Sequence, residues 1–310
     1  MADKNPSSNT NPIKNLGSFF KRLLFGKKKE SSSSFYWLLA LILFVRWAVV
    51  EPFKIPSGSM KPTLLIGDHL FVSKSGYDIR IPFTKKSLLK VSDPKRGDVI
   101  VFRFPGPGPM HGAFYIKRII GVPGDVIEVR GGVPFLNDKA YEQIPVAKEY
   151  IEKIPAFDFW DGNYVLKEKI PGARYEEHLM QRYGRALGYL AEGKAGLEAQ
   201  LGKPCAPFQS DNLSDELKFY KINHICSFTV PDGNYFVMGD NRDDSQDGRF
   251  FGFVERPEIM GRAIGIWLSV PLEGWQMQRP FFEATYHFIV SIFKTPFDKE
   301  RVARIGTAIK

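Results

Sequence analysis

Residues Ala113–Gly132, AFYIKRIIGVPGDVIEVRGG, decide the fold: two runs of Ile, Val, Phe and Tyr flank a Val-Pro-Gly-Asp stretch and end on paired glycines. Branched and aromatic side chains at this density favour extended backbone, and Pro-Gly-Asp reverses the chain, so the stretch predicts antiparallel strands. The same pattern recurs on both sides of it. HLFVSKSGY (His69–Tyr77), RGDVIVFRFPGPGPMHG (Arg96–Gly112), GNYFVMGDN (Gly233–Asn241) and GRAIGIWLSV (Gly261–Val270) each set a β-type run against turn residues. The core is expected to be all-β. Between 140 and 229 the pattern changes, and Ala173–Gly202, ARYEEHLMQRYGRALGYLAEGKAGLEAQLG, has the Ala, Glu, Leu and Arg content and apolar spacing of a helix. This segment is read as a partly helical insertion in the β core.

The chain has 310 residues, 44% of them hydrophobic, enough to bury a sizeable core. Its net charge of +9 invites a nucleic-acid reading until the charges are located. Residues 1–34 hold seven basic side chains (Lys4, Lys14, Lys21, Arg22, Lys27, Lys28, Lys29) against Asp3 and Glu30, so more than half of the excess lies in that tail. Directly after it comes FYWLLALILFVRWAVV, Phe35–Val50, interrupted only by Arg46. A basic run beside an apolar run points to membrane topology rather than to nucleic acid. As a helix the run covers about 24 Å of a roughly 30 Å hydrocarbon layer, and adding Phe53 and letting Arg46 snorkel extends it. The long basic region and the lack of a small-x-small site after Val50 favour an uncleaved anchor over a cleaved signal peptide. The expected division is a basic cytoplasmic tail (1–34), an anchor (35–53), a catalytic β core in two parts (54–139 and 230–271) around the insertion (140–229), and a C-terminal tail (272–310). In that tail FFEATYHFIVSIF (Phe281–Phe293) is too short to span; it either packs on the core or lies in the membrane interface.

Cys205 and Cys226 are the chain's two cysteines, and the sequence leaves open whether they form a disulfide or remain thiols. His69, His111, His178, His224 and His287 make no metal-ligand spacing, so neither a metal nor another cofactor is expected.

Chemistry is carried by three separated segments. IPSGSMKPTL (Ile55–Leu64) crowds two serines between prolines, which disfavour helix and constrain a turn. FYIKRIIGVPGD (Phe114–Asp125) sets Lys117 among isoleucines, and MGDNRDDSQDGRFFGFV (Met238–Val254) alternates acids and arginines before an apolar strand. A serine hydroxyl needs a base, and no histidine lies in these segments. A lysine serves if burial lowers its pKa from about 10.4 toward about 8.

Together the segments closely resemble the conserved boxes of type I signal peptidases, membrane-bound serine proteases with a Ser-Lys dyad. PSGSMKPTL, YIKRIIGVPGD and GDNRDDSQDGR stand in the family's order after a single N-terminal anchor. The resemblance implies antiparallel strands coiled into a partly open barrel. It implies Ser59 as nucleophile, Lys117 as general base, Ser57 with the Ser59 N–H as oxyanion hole, and Ser245 as the hydroxyl that orients the lysine. Phe53, Ile55, Pro56, Met60, Leu64, Tyr115 and Ile116 would line shallow pockets for the small residues of Ala-x-Ala sites. Arg118 with Asp240, and Asp247 with Arg249, would support the dyad. The implied partners are signal peptides of exported preproteins and the lipid bilayer, with no nucleic acid. The implied location is the bacterial inner membrane, N-terminus cytoplasmic and catalytic domain on the outer face. Asp244 departs from the family, where asparagine is common at that position. A related Ser-Lys peptidase of restricted range, such as a pilin processor, and a catalytically silent membrane-tethered binding module are the alternatives.

Overall fold

The computed structural model describes residues 31–81, 84, 86–146, 164–175, 177–182, 224–271, 281–294 and 298–310. The chain divides into two compact units, Met1–Trp47 and Ala48–Lys310. The first includes most of helix α1 (Ser31–Ala48), which contains most of the apolar run and exposes Phe35, Tyr36, Trp37, Leu39, Leu41 and Ile42. Among the described residues, no helix is long and apolar enough to cross a membrane.

The second unit is mainly β. Its strands in chain order are β1 (Val50–Lys54), β2 (Asp68–Ser73), β3 (Asp78–Arg80), β4 (Ser87–Lys90), β5 (Val99–Arg103) and β6 (Phe114–Gly121). There follow β7 (Val126–Arg130), β8 (Val133–Leu136), β9 (Lys139–Ala140), β10 (Glu142–Pro145) and β11 (Tyr164–Lys169). The last are β12 (Glu177–Arg182), β13 (His224–Thr229), β14 (Asn234–Met238), β15 (Val254–Glu255) and β16 (Ile259–Ser269). Seven of them form one sheet in the order β1-β2-β16-β5-β6-β14-β15, every described pairing in it antiparallel. Its ends, β1 and β15, do not pair with each other, so this sheet is not a closed barrel. Smaller sheets are β13-β7-β8-β9, β10-β11-β12 and the hairpin β3-β4. Of the residues expected as an anchor, 35–53, those at 50–53 are strand, paired with β2 from Val50↔Ser73 onward.

The apolar residues of the strands divide among packed clusters. Ile55, Met60, Leu64, Leu70, Val72, Val99, Val101 and Ile266 form one; Ile100, Phe102, Ile119, Tyr235 and Val237 form another. Burial at this scale is the main stabilising term, about 25 cal/mol for each Å² of apolar surface. β16 threads between β2 and β5 and needs glycine at 261, where an added Cβ would lie 2.9 Å from the Ser73 carbonyl carbon.

The insertion is a correction. Of the helix expected over 173–202, residues 177–182 are strand β12, paired with β11 from Tyr164↔Arg182 to Lys169↔Glu177; residues 183–202 lie outside the described residues. Tertiary partners outweigh helix propensity there. His178, Met180, Gln181 and Arg182 are buried, and the strand forms a parallel bridge to the third segment at Gln181↔Asn241. Cys226, in β13, is disulfide-bonded; Cys205 lies outside the described residues.

The C-terminal segment also packs on the core. Helix α3 (Phe281–Lys294), numbered after the four-residue helix α2 (Gly248–Phe251), sets Phe288 against His69, ring centroids 5.4 Å apart, and buries Ser291. It exposes Tyr286, Ile289, Ile292 and Phe293. Helix α4 (Lys299–Arg304) is capped by Asp298, whose carboxylate accepts from the Arg301 N–H at 3.0 Å. Its Arg304 donates to Asp68 Oδ2 at 2.5 Å and to the Thr63 carbonyl at 2.9 Å, and Ile309 is buried in the cluster with Met60 and Leu64.

The β10-β11-β12 sheet is tied to the third segment by charge as well as backbone. Glu168 of β11 and Arg242 are both fully buried and paired through two hydrogen bonds, Nη1 to Oε1 at 2.8 Å and Nη2 to Oε2. Burial alone would raise the Glu168 pKa, but the adjacent Arg242 charge and its hydrogen bonds hold it below the usual carboxylate value. Glu168→Ala leaves that guanidinium buried without its partner and is expected to cost about 3–5 kcal/mol. Glu177→Ala on the same sheet removes only partly exposed contacts to Lys167 and Lys169 and should cost under about 1 kcal/mol. Urea denaturation followed by tryptophan fluorescence compares the two; equal losses would show that the buried pair does not hold the sheet.

Candidate active site

The first segment leaves β1 and turns tightly. The Lys61 N–H donates to the Gly58 carbonyl at 3.0 Å and the Leu64 N–H to the Met60 carbonyl at 2.9 Å. The turn sends Met60 into the core, fully buried, and leaves Ser59 half-buried at the surface. β6 lies between β5 and β14 and carries Lys117, which pairs in register with Ile100. Lys117 Nζ is hydrogen-bonded to Ser59 Oγ at 2.7 Å and donates to the Ile116 carbonyl at 3.0 Å. The amine is also 5.6 Å from the centroid of the Tyr115 ring. Lys117 is only 3% exposed, and this burial lowers its pKa from 10.5 to about 8, against the opposing pull of Asp247 and Asp240. Ser57 Oγ lies 3.5 Å from Ser59 Oγ.

The third segment packs directly behind this pair. Arg118, next to Lys117, grips both oxygens of Asp240, Nε to Oδ1 at 2.8 Å and Nη2 to Oδ2 at 2.7 Å, in a fully buried fork. Thr63 Oγ1 also donates to Asp240 Oδ2, at 2.5 Å. Asp247 pairs with Arg249 at 2.8 and 2.9 Å and accepts from the Gly239 N–H at 2.9 Å. Burial would push both carboxyls up; the paired arginines and their hydrogen bonds hold them below the ordinary range. Gly239 is required by close approach: an added Cβ would collide with the Ser245 hydroxyl and lie 2.5 Å from the Ser59 carbonyl oxygen.

The structure thus brings together Ser57, Ser59 and Lys117, with the Arg118–Asp240 and Asp247–Arg249 pairs behind them. Ser245 is buried beside Gly239, but its hydroxyl has no hydrogen-bond partner among the described residues; Lys117 is held by the Ile116 carbonyl instead. Two cavities open at the surface. One, of about 350 Å³, is lined by Ser57, Ser59, Lys117, Met110, Asp244 and Gln246, and by Pro56, Phe114, Tyr115 and Ile116. The other, of about 320 Å³, shares those last four and adds Phe53, Lys54, Ile55 and Val101. Five of the seven expected pocket residues line these cavities, whereas Met60 and Leu64 are fully buried in the core below them.

Several residues of the site escaped sequence reasoning. Asn241 holds the serine turn, its N–H donating to the Ser59 carbonyl at 3.1 Å and its side-chain amide to the Gly58 carbonyl at 3.2 Å. Its place in the GDN stretch was the available signal. Thr63, Glu168 and His178 had none, because their partners lie far away in the chain. His178 sits between two carboxylates, Nε2 at 3.5 Å from Glu168 and 3.7 Å from Asp240. Burial lowers its pKa to about 3, keeping it neutral at ordinary pH.

The profile of the family described as "Signal peptidase, peptidase S26" matches residues 28–268. Signal peptidase I of Pseudomonas fluorescens is 35% identical over 252 residues, covering 78% of this chain and 73% of its own. Signal peptidase I of Pseudomonas aeruginosa is 33% identical over 254 residues, with the same coverage. That of Buchnera aphidicola subsp. Schizaphis graminum is 31% identical over 281 residues, covering 86% of this chain and 84% of its own. The chain belongs to the signal peptidase family, peptidase S26.

Proposed function

We propose that the protein is a signal peptidase that removes N-terminal signal peptides from exported preproteins with a Ser59–Lys117 dyad. The observation that carries the reading is the 2.7 Å contact between Ser59 Oγ and the desolvated amine of Lys117. The neutral amine accepts the Ser59 proton as Oγ attacks the carbonyl carbon of the scissile bond. The Ser59 N–H and the Ser57 hydroxyl receive the negative charge on the carbonyl oxygen. The protonated amine then gives its proton to the departing nitrogen, leaving an ester on Ser59. Water, deprotonated by the same lysine, hydrolyses the ester and frees the serine. Ser245 is assigned by family resemblance to orient the amine. The apolar walls formed by Phe53, Ile55, Pro56, Tyr115 and Ile116 suit the small side chains of an Ala-x-Ala site.

The same reading places the enzyme in the inner membrane, its N-terminus cytoplasmic and its catalytic unit on the outer face. In support, seven basic residues precede the apolar run, and α1 exposes six large apolar side chains that water does not favour. The exposed apolar residues of α3 suit the membrane interface.

Ser59→Ala and Lys117→Ala should each lower kcat/KM on an Ala-x-Ala precursor by at least about 10³-fold. His111→Ala, whose imidazole contacts the Gly106 carbonyl and lines neither cavity, should retain activity. Cleavage by purified protein in detergent measures this, and near-normal turnover of Lys117→Ala would rule out the dyad.

The lysine also sets the pH response. Its folded pKa of about 8 lies below the unfolded 10.5, so the folded state binds fewer protons between those values. The resulting destabilisation is complete below pH 8, about 3 kcal/mol at 1.36 kcal/mol per unit, and fades as pH rises toward 10.5. Activity should therefore climb along a limb centred near pH 8. Lys117→Met should be more stable than the parent at pH 7, and the difference should shrink by pH 10. Chemical denaturation at both pH values tests the second statement; a lysine variant less stable at pH 7 would contradict it.

A further inference from the structure

The third segment carries four aspartates close together, and three have arginine partners: Asp240 with Arg118, Asp243 with Arg182, and Asp247 with Arg249. Asp244 is different. Its backbone N–H donates to the Asn241 carbonyl at 3.2 Å, but its carboxylate has no hydrogen bond or ion pair among the described residues. It is exposed, and it lines the cavity that contains Ser59 and Lys117. Its charge reaches the dyad, since it is one of the groups opposing the loss of the Lys117 proton.

The two cavities give the cleft a direction. They share the wall of Pro56, Phe114, Tyr115 and Ile116, but only one holds the dyad. Beyond that wall, the cavity without it is lined by residues that include Phe53, Val101 and the exposed Lys54, and the cavity with it by residues that include Met110, Asp244 and Gln246. A chain that lays its small residues along the shared apolar wall, with the bond to be cut at Ser59, continues past the dyad toward Asp244. On that path Lys54 lines the cavity of the residues before the bond, and Asp244, without an ion pair among the described residues, lines the cavity that holds the dyad.

We propose that Asp244 is a specificity-determining residue: it favours precursors with a lysine or arginine in the first two positions after the scissile bond and disfavours those with an acidic residue there. The inference rests on the Ser59–Lys117 reading, which locates the bond. A carboxylate not neutralised by a neighbour interacts in full with an incoming charge, attracting a cation and adding both repulsion and desolvation cost for an anion. Asparagine at this position keeps the size and loses that field.

The test uses the full-length protein in detergent and three precursors identical through Ala-x-Ala, with Lys-Lys, Gln-Gln or Glu-Glu following the bond. The readout is the ratio of kcat/KM for the Lys-Lys precursor to that for the Glu-Glu precursor, in which any change in the Lys117 pKa cancels. For the parent the ratio should be about tenfold at low ionic strength and shrink in 0.5 M salt, as expected for a partly solvated charge. Asp244→Asn should bring it below about twofold, and Asp244→Lys should invert it. A ratio unchanged in both variants, or a parent ratio near one at low salt, overturns the proposal. The Gln-Gln precursor separates the two readings. If the parent cleaves it and Ser59→Ala does not, an unchanged ratio counts against Asp244 alone. If Ser59→Ala cleaves it as well as the parent does, the dyad reading fails and the proposal with it.

Discussion

The buried fork between Arg118 and Asp240 ties together the segments that carry Ser59 and Lys117. Arg118 donates to both Asp240 oxygens, to the Gly97 carbonyl at 2.8 Å and to the Lys310 carbonyl at 2.9 Å. Asp240 in turn receives Thr63 from the serine turn. One ion pair thereby joins the strand of Lys117, the loop behind it, the segment of Ser59 and the end of the chain. Burying two charges costs several kcal/mol each, which the Coulomb attraction repays only when every remaining donor and acceptor is also satisfied. Here the Gly97 and Lys310 carbonyls and the Thr63 hydroxyl supply further hydrogen bonds to the pair, which contributes position more than stability. A shift of either partner would move Lys117 and Ser59 relative to each other.

That network explains what the sequence disclosed and what it did not. The strands around Lys117 were legible because Ile119, Ile120, Ile127 and Val129 are buried on short extended runs bounded by turn residues. The three chemical segments were legible because their residue types serve chemistry that composition alone does not require. The β12 strand was misread as helix. Its Leu, Met and Glu content carries no mark of the partners, Asn241 and the Asp240 carbonyl, that draw Gln181 into extended backbone. Met60 and Leu64 were expected in the pockets because the family resemblance implied them there. A turn that points Ser59 outward must point Met60 inward, and that follows from backbone geometry no residue pattern displays. Glu168 was invisible for a related reason: it and Arg242 stand 74 residues apart, and charge complementarity at that distance has no local signature.

The proposed dyad and the ion pairs behind it impose opposite electrostatic demands on one buried region. Lys117 must lose its proton near neutral pH, which burial promotes, while Asp240 and Asp247 must keep their charge, which burial opposes. The conflict is resolved by giving each carboxylate its own arginine. Arg118 and Arg249 hold the acids ionised. Arg249 is itself among the groups that lower the Lys117 pKa. Burial remains the main cause of the lowered Lys117 pKa, with Arg249 adding to it against the pull of the two acids.

The same logic gives the insertion a part in the site. Arg242 brings a further positive charge into the loop, and it is balanced by Glu168 from β11 rather than by any acid of its own segment. The residue before it, Asn241, holds the Ser59 and Gly58 carbonyls, and the backbone on either side is fixed by Gln181, which donates to the Asp240 carbonyl at 2.9 Å and accepts from the Arg242 N–H at 3.0 Å. Asn241 is thus clamped from behind by a sheet that the order of the chain places outside the catalytic core. Without that sheet, Arg242 would be a buried cation without a counter-ion, and the amide that fixes the serine turn would lose its backing. The segment between the second and third chemical boxes lines neither cavity, but its described strands back the loop that holds the serine turn.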